Sequence, residues 1–295
     1  MICGTRGSPL ALAQTNIVVG MLDADVEVRV IKTSGDLYRG QFGTDGATRG
    51  LFTKEIDMAL EDGVIDFAVH SMKDVRLDFP FHVAIPQRGP AADVMVTRHP
   101  SFHAIPQGGR IGTGSPRRAT ELRHMRPDLE PVPIRGNIGT RLGKVEELDG
   151  VVMAEAGLQR LALWGHNGYT FVRFPRELFI PAACQGTLAV ACRKDDVEAR
   201  KVVDALRHEA STACAMAERE VMHAIGGNCH IPAGAWASVL DGDRMRIFAV
   251  INDPWNNRSY RDLAVGPLGS GRAVARTLAA SLLSKGADDV VGRIS

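Results

Sequence analysis

The sequence predicts an α/β protein with two similar lobes and a smaller third α/β domain. Three observations carry that prediction. Helix-period and strand-period segments alternate along the chain. A strand leading into a Ser-Pro helix start occurs twice, at Ile2–Pro9 and again at Arg110–Pro116. An Asp-Gly step leading into an apolar strand also occurs twice, at Asp62-Gly63 and Asp149-Gly150. The 295 residues suit two or three domains at about 100–200 residues each.

Taken in order, Ile2-Cys3-Gly4-Thr5-Arg6-Gly7 reads as a strand and a tight turn. Ser8 then caps a helix and Pro9 takes its first position, where a missing N–H costs nothing. Residues 37–50 hold Gly40, Gly43, Gly46 and Gly50 without a clear period, which suggests a lid or a disordered loop. The strand ending at Val69 delivers His70-Ser71-Met72-Lys73-Asp74 to its carboxyl end. Pro86–Pro90 reads as a crossing between lobes, and Phe179–Ala183 as the crossing back. Ser115 caps and Pro116 starts a helix that should stop at Pro127. From about 207 the pattern changes. A long helix from His208 to His223 precedes a Gly-Gly-Asn turn, a hairpin with Asp241-Gly242 at its tip, and a final helix near Gly271–Ser284. The expected domains are therefore 1–90 with 183–204, 91–180, and 207–295.

Composition excludes several function classes. A net charge of +1 gives no global field for nucleic acid or an anionic membrane. No apolar run approaches the ~20 residues of a membrane helix, and no secretory leader is expected. The five cysteines are odd in number and lack a CxxC pair, so neither a metal site nor a disulfide framework is expected. A reducing cytoplasm is expected. Of the 35 basic residues, 28 are Arg, and Arg binds carboxylates with a two-pronged fork that Lys lacks.

Several segments point to anion chemistry. A helix N-terminus carries unsatisfied N–H groups and partial positive charge. Arg6 flanks the first Ser-Pro start, and Arg117 and Arg118 occupy the first turn of the second. Cations there oppose the helix dipole, so a compensating anion is expected. In Arg135-Gly136-Asn137-Ile138-Gly139-Thr140-Arg141, two glycines flanked by arginines suit phosphate or carboxylate, but no Walker-type Gly-Lys-Ser/Thr follows. Arg160 closes the next unit. Asp74 is the best acid/base candidate, with Lys73 beside it. Cys229 follows a glycine turn and precedes His230; its residues alone leave an inert core thiol open beside a reactive one. Cys3, Cys192 and Cys214 read as core.

In this order the motifs resemble the porphobilinogen deaminases, also called hydroxymethylbilane synthases. The resembling stretches run from Thr5–Leu12, Gly50–Glu55, Asp66–Val75 and Gly112–Arg118 through Arg126–Leu129 and Arg135–Leu142 to Ala156–Leu161, Gln185-Gly186 and Cys229–Gly234. The resemblance implies two periplasmic-binding-protein-like lobes with mixed sheets flanking a cleft, plus the C-terminal domain. It implies a dipyrromethane cofactor on Cys229, made from the enzyme's own substrate. It implies a transferase that adds four porphobilinogen units with loss of ammonia and releases hydroxymethylbilane.

The implied roles follow residue by residue. Asp74 would protonate the leaving amine, stabilise the cationic azafulvene and help remove the pyrrole proton. Cys229, Lys73, Thr113, Ser115, Arg117, Arg118, Arg135, Gly136 and Gln185 would hold the cofactor. Arg6, Ser8, Arg135, Arg141 and Arg160 would hold the substrate's acetate and propionate. No metal, nucleic acid or membrane is implied, and a monomer is expected.

The sequence departs from the family pattern at five positions, one of them Pro116, where Leu is usual. Gly114 stands where a second serine is usual, Arg76 where Pro is usual, Cys184 where Gly is usual, and Asn228 where Gly precedes the cofactor cysteine. Cys184 reads as a second accessible thiol. One rival reading is a non-catalytic anion-binding protein of periplasmic type, which leaves Asp74 and Cys229 without a purpose. Another is an enzyme of carboxylated sugars or nucleotides, for which no metal or phosphate motif is present.

Overall fold

A computed structural model describes residues 1–33, 53–226 and 231–294 of the chain. The expected lid at 37–50 and Cys229 lie outside the described residues. The chain divides into two compact units, residues 1–89 with 187–212 and residues 90–186 with 213–295.

The first unit is built on a five-stranded mixed sheet. Its order is Glu27–Ile31, Ile2–Arg6, Phe67–Ser71, Leu188–Cys192 and His82–Ala84. The first three strands are parallel, and Leu188–Cys192 runs antiparallel to both of its neighbours. Both faces are covered at the central strands Phe67–Ser71 and Leu188–Cys192, which are accordingly buried along nearly their whole length rather than alternating. Phe67 and Val69 point into one core with Val18 and Val203, from the helices Pro9–Val19 and Val197–Asp204. Ala68 points into the other with Ile56 and Leu60 of the helix Lys54–Glu61. Burying one side chain such as Phe67 contributes about 2–3 kcal/mol.

The second unit repeats the plan. Its five-stranded sheet runs Glu130–Val132, Arg110–Gly112, Gly150–Ala154, Asp93–Thr97 and Thr170–Arg173. Again the first three strands are parallel and the fourth is antiparallel to both neighbours. In each sheet a Ser-Pro helix, Pro9–Val19 or Pro116–Met125, links the second strand to the first. The twofold recurrence in the sequence is therefore a recurrence of topology.

The second unit also carries a three-stranded antiparallel sheet, Ala233–Leu240, Arg244–Asp253 and Arg258–Pro267. The expected hairpin tip is present, with Gly242 and Asp243 both at positive φ. The helices Glu209–Ala224 and Gly271–Leu282 cover one face through Ala217, Val221, Leu278 and Leu282. The third strand is not anticipated by the sequence reading. The buried carboxylate of Glu121, on the Pro116–Met125 helix, joins this sheet to the rest of its unit. It accepts from Asn252 Nδ2 at 3.0 Å and pairs with Arg261. Among the described residues, no helix is long and apolar enough to cross a membrane.

Candidate active site

In the first unit the candidate residues gather at the carboxyl edge of the sheet, where open α/β sheets bind ligands. Ile2–Arg6 and Phe67–Ser71 run parallel, so Arg6, Ser8 and the turn after Ser71 share one end. Ser8 caps the first helix as expected, its Oγ accepting from Ala11 N at 3.3 Å. Gln14 Nε2 donates to Ser71 Oγ at 2.9 Å, which ties that helix to the neighbouring strand. Met72–Asp74 forms a short 3₁₀ turn with Met72 and Val75 as buried anchors. Met72 N donates to Thr187 O at 3.0 Å. Lys73 and Asp74 are consequently held out to solvent between two anchored residues. His70, just before this turn, is buried against Phe79, and burial pulls its imidazole down to about 4.

In the second unit the strands Glu130–Val132, Arg110–Gly112 and Gly150–Ala154 likewise end at one edge. The segments Thr113–Arg118, Arg135–Arg141 and Glu155–Arg160 continue from those ends. Ser115 caps the second helix, accepting from Arg118 N at 3.4 Å. Thr113 Oγ1 accepts from Ser115 N at 3.2 Å. A Cβ on Gly114 would lie 2.8 Å from Ile134 O, so the serine usual at this position would not fit here without a shift.

The anion expected beside Arg117 and Arg118 is in the structure supplied by the chain itself. Asp93, fully buried, accepts from Arg117 Nη2 at 2.7 Å on one oxygen and from Arg118 Nε at 2.9 Å on the other. Gln185 Nε2 donates to the same carboxylate at 2.9 Å and to Ala91 O at 2.8 Å. Burial alone would raise the Asp93 pKa, but the two guanidiniums outweigh it and hold the carboxyl below its ordinary range. Two buried cations thus share one anion.

The glycine-arginine loop is shaped by local constraints. Gly136 has φ +105°, and a Cβ there would lie 2.7 Å from Thr140 Cγ2, so only glycine suits the position. Asn137 caps the short helix Ile138–Gly143, accepting from Thr140 N at 2.8 Å. Arg141 Nε folds back to Gly136 O at 2.7 Å. Arg135 is exposed on the same loop. Arg160 Nη2 donates to Gly186 O at 2.6 Å, and burial pulls its guanidinium down to about 10. Burial first, and the nearby charge of Arg118 second, lower Arg141. Neither Arg141 nor Arg160 forms an ion pair with a carboxylate among the described residues.

Cys3, Cys184, Cys192 and Cys214 are all buried. The expectation that Cys184 offers an accessible thiol is corrected: it is 1% exposed, and its Sγ lies 3.5 Å from Ala215 O. Its φ of +61° explains why glycine is the usual occupant. The backbone N–H of Cys184 donates to buried Glu218 Oε2 at 2.6 Å. Sequence reasoning missed Asp93 and Glu218. The signal for Asp93 was a lone carboxylate opening the apolar strand Asp93-Val94-Met95-Val96, since an unpaired buried charge is costly.

The family model described as "Porphobilinogen deaminase, dipyromethane cofactor binding domain" matches residues 1–201. That of the "Porphobilinogen deaminase, C-terminal domain" matches 212–284. The chain is 39% identical to the porphobilinogen deaminase of Limosilactobacillus reuteri (strain DSM 20016) over 297 aligned residues, covering 97% of this chain and 96% of that protein. It is 38% identical to that of Corynebacterium diphtheriae, covering 98% of each. It is 35% identical to that of Alkaliphilus metalliredigens, covering 99% of this chain and 95% of that protein. The chain belongs to the porphobilinogen deaminase family.

Proposed function

We propose that this chain is a transferase of tetrapyrrole biosynthesis, joining four porphobilinogen units with loss of ammonia into hydroxymethylbilane. The observation that carries the reading is uncompensated positive charge at the carboxyl edge of the second sheet. Arg117 and Arg118 share one carboxylate, and Arg141 and Arg160 are desolvated without one among the described residues. Each pyrrole of the substrate carries an acetate and a propionate. Arginine forks match such groups with two parallel hydrogen bonds each.

A dipyrromethane fits the same donors. Thr113, Ser115, Arg117, Arg118, Arg135, Gly136, Gln185 and Lys73 would hold it, and Cys229 would carry it covalently. Bound, it would supply the nucleophilic pyrrole carbon from which the chain grows. Arg6, Ser8, Arg135, Arg141 and Arg160 would bind the incoming substrate's carboxylates. Asp74, exposed on its anchored turn, would give a proton to the departing amine. Its carboxylate would then stabilise the positive charge that develops on the substrate and take up the pyrrole proton afterwards. The same reading expects a cytoplasmic monomer. A purely anion-binding protein would use the arginines but leave Asp74 without a task.

Intact mass of the purified protein tests the reading. An adduct of two pyrrole units, coloured by an aldehyde reagent for pyrroles and lost in Cys229→Ser, is expected. Full turnover by protein with an unmodified Cys229 would overturn it.

A further inference from the structure

We propose that Asp93 is a positioning residue for ligand binding: it orients Arg117 and Arg118 and cancels one of their two charges, leaving a single surplus charge for one ligand carboxylate. The inference rests on the reading above and adds to it a residue that makes no ligand contact.

The geometry carries it. One Asp93 oxygen takes Arg117 Nη2 and the other takes both Arg118 Nε and Nη2, each Nη2 contact at 2.7 Å. The other hydrogen bonds of the two guanidiniums go to neutral oxygens, Ile180 O for Arg117 at 2.7 Å, and Val152 O at 3.2 Å and Gln185 Oε1 at 3.4 Å for Arg118. Those carbonyls fix direction but remove no charge. Gln185, also neutral, holds the oxygen that faces Arg118 and leaves the count unchanged. Two cations against one anion, all at most 8% exposed, make a site whose charge is completed by one more carboxylate.

The arrangement also explains why such buried arginines are tolerated before any ligand arrives. Without Asp93 the pair would carry two uncompensated charges out of water, and the strand, the helix start and the 180–185 segment would lose their common partner. With a second internal acid, the site would be neutral and would have nothing left with which to attract a ligand carboxylate. A single shared carboxylate satisfies both demands.

Chemical rescue tests this on the whole chain. Asp93→Ala removes the carboxylate and leaves space for a small one. We expect the variant to show a rise in KM for porphobilinogen, or a loss of cofactor loading, on the order of 100-fold, the size typical of removing a residue that orients ligand-holding groups. Formate should restore both in a saturable manner, and formamide should not. Asp93→Glu should retain part of the activity because it keeps the charge. If Asp93→Ala does not fold alone, folding in formate with recovered loading supports the proposal. Rescue of thermal stability by formate with KM or loading left impaired would overturn it and leave Asp93 a purely structural ion pair. Wild-type protein lacking any pyrrole adduct would instead bring down the functional reading, so the two failures are distinguishable.

Discussion

Arg160 Nη2 donates to the carbonyl oxygen of Gly186 at 2.6 Å, and this neutral contact is the anchor of a half-buried cation. Burial lowers the Arg160 pKa without an opposing carboxylate, so the folded chain holds this charge at a cost. Arg160→Leu should therefore melt higher, by about 2–4 °C per kcal/mol regained. It should also raise KM for porphobilinogen by about 30-fold or more, since a desolvated charged contact is typically worth 2 kcal/mol or more. Calorimetry and steady-state kinetics on the same preparation check both. A lower melting temperature with unchanged KM would mean that Arg160 is only a brace for the Gln185-Gly186 turn.

Asp74 sits on a turn fixed by buried Met72 and Val75, so its substitution should leave the fold intact. Asp74→Asn keeps the size and loses the acid. Turnover should fall by at least 10²–10⁴-fold, the usual worth of a positioned acid/base group, while porphobilinogen still binds. Binding calorimetry beside single-turnover kinetics makes the comparison. Near-normal turnover would remove Asp74 from the reaction.

The burial of four cysteines makes thiol counting informative. Cys3 and Cys192 are further deterred from reacting because burial pushes their thiols up to about 12 and about 11. The chain has five cysteines, and the fifth is Cys229. Native apo-protein should label quickly with a thiol reagent at Cys229 alone, and native holo-protein should resist. After denaturation, the count should be one fewer in the holo-protein than in the apo-protein. Rapid native labelling of Cys184 would contradict its buried position.

How much of this was legible in the sequence depends on the range of the interactions. The two Ser-Pro helix starts were readable because capping is local: Ser8 and Ser115 each reach an N–H three residues on. The repeated topology followed from those starts and the Asp-Gly strand entries. The strand Arg258–Pro267 was not legible, since its alternation is interrupted by Arg261, Asp262 and an exposed Leu263 and Val265. Its register is set by the partner strand Arg244–Asp253. The arginines were recognisable as a group, but their shared counterion lies 24 and 25 residues upstream, on the strand Asp93–Thr97 rather than on their own helix. Only the folded sheet brings Asp93 to them. Cys184 was misjudged for a similar reason: its glycine-like backbone was foreseeable, while the helix that covers it comes from residues 209–224.

Two buried groups in the first unit should oppose one another as pH changes. His70 is held neutral by burial, with its pKa lowered to about 4, and its Nε2 has no hydrogen-bond partner among the described residues. Between about pH 6.5 and 4 the unfolded chain takes up a proton that folded His70 refuses, so this group reduces stability as pH falls. Asp57 behaves in the opposite sense. Burial pushes its carboxyl up to about 6, with Glu61 adding to the rise and Arg76 and Thr53 opposing it. Folded Asp57 holds a proton that the unfolded chain releases, so its contribution is present in acid and is lost as pH rises through about 6. For buried His70 this amounts to about 3 kcal/mol over its window by linkage, solvent screening makes it less for the less deeply buried Asp57, and the two oppose one another from pH 4 to 6. Urea denaturation of His70→Gln, referred to wild type at each pH, should show relative stability growing by about 1.4 kcal/mol per unit as pH falls from 6.5. Asp57→Asn should gain relative stability above pH 6 and lose that advantage in acid. Difference curves flat across this range would show that neither group is held away from its ordinary ionisation.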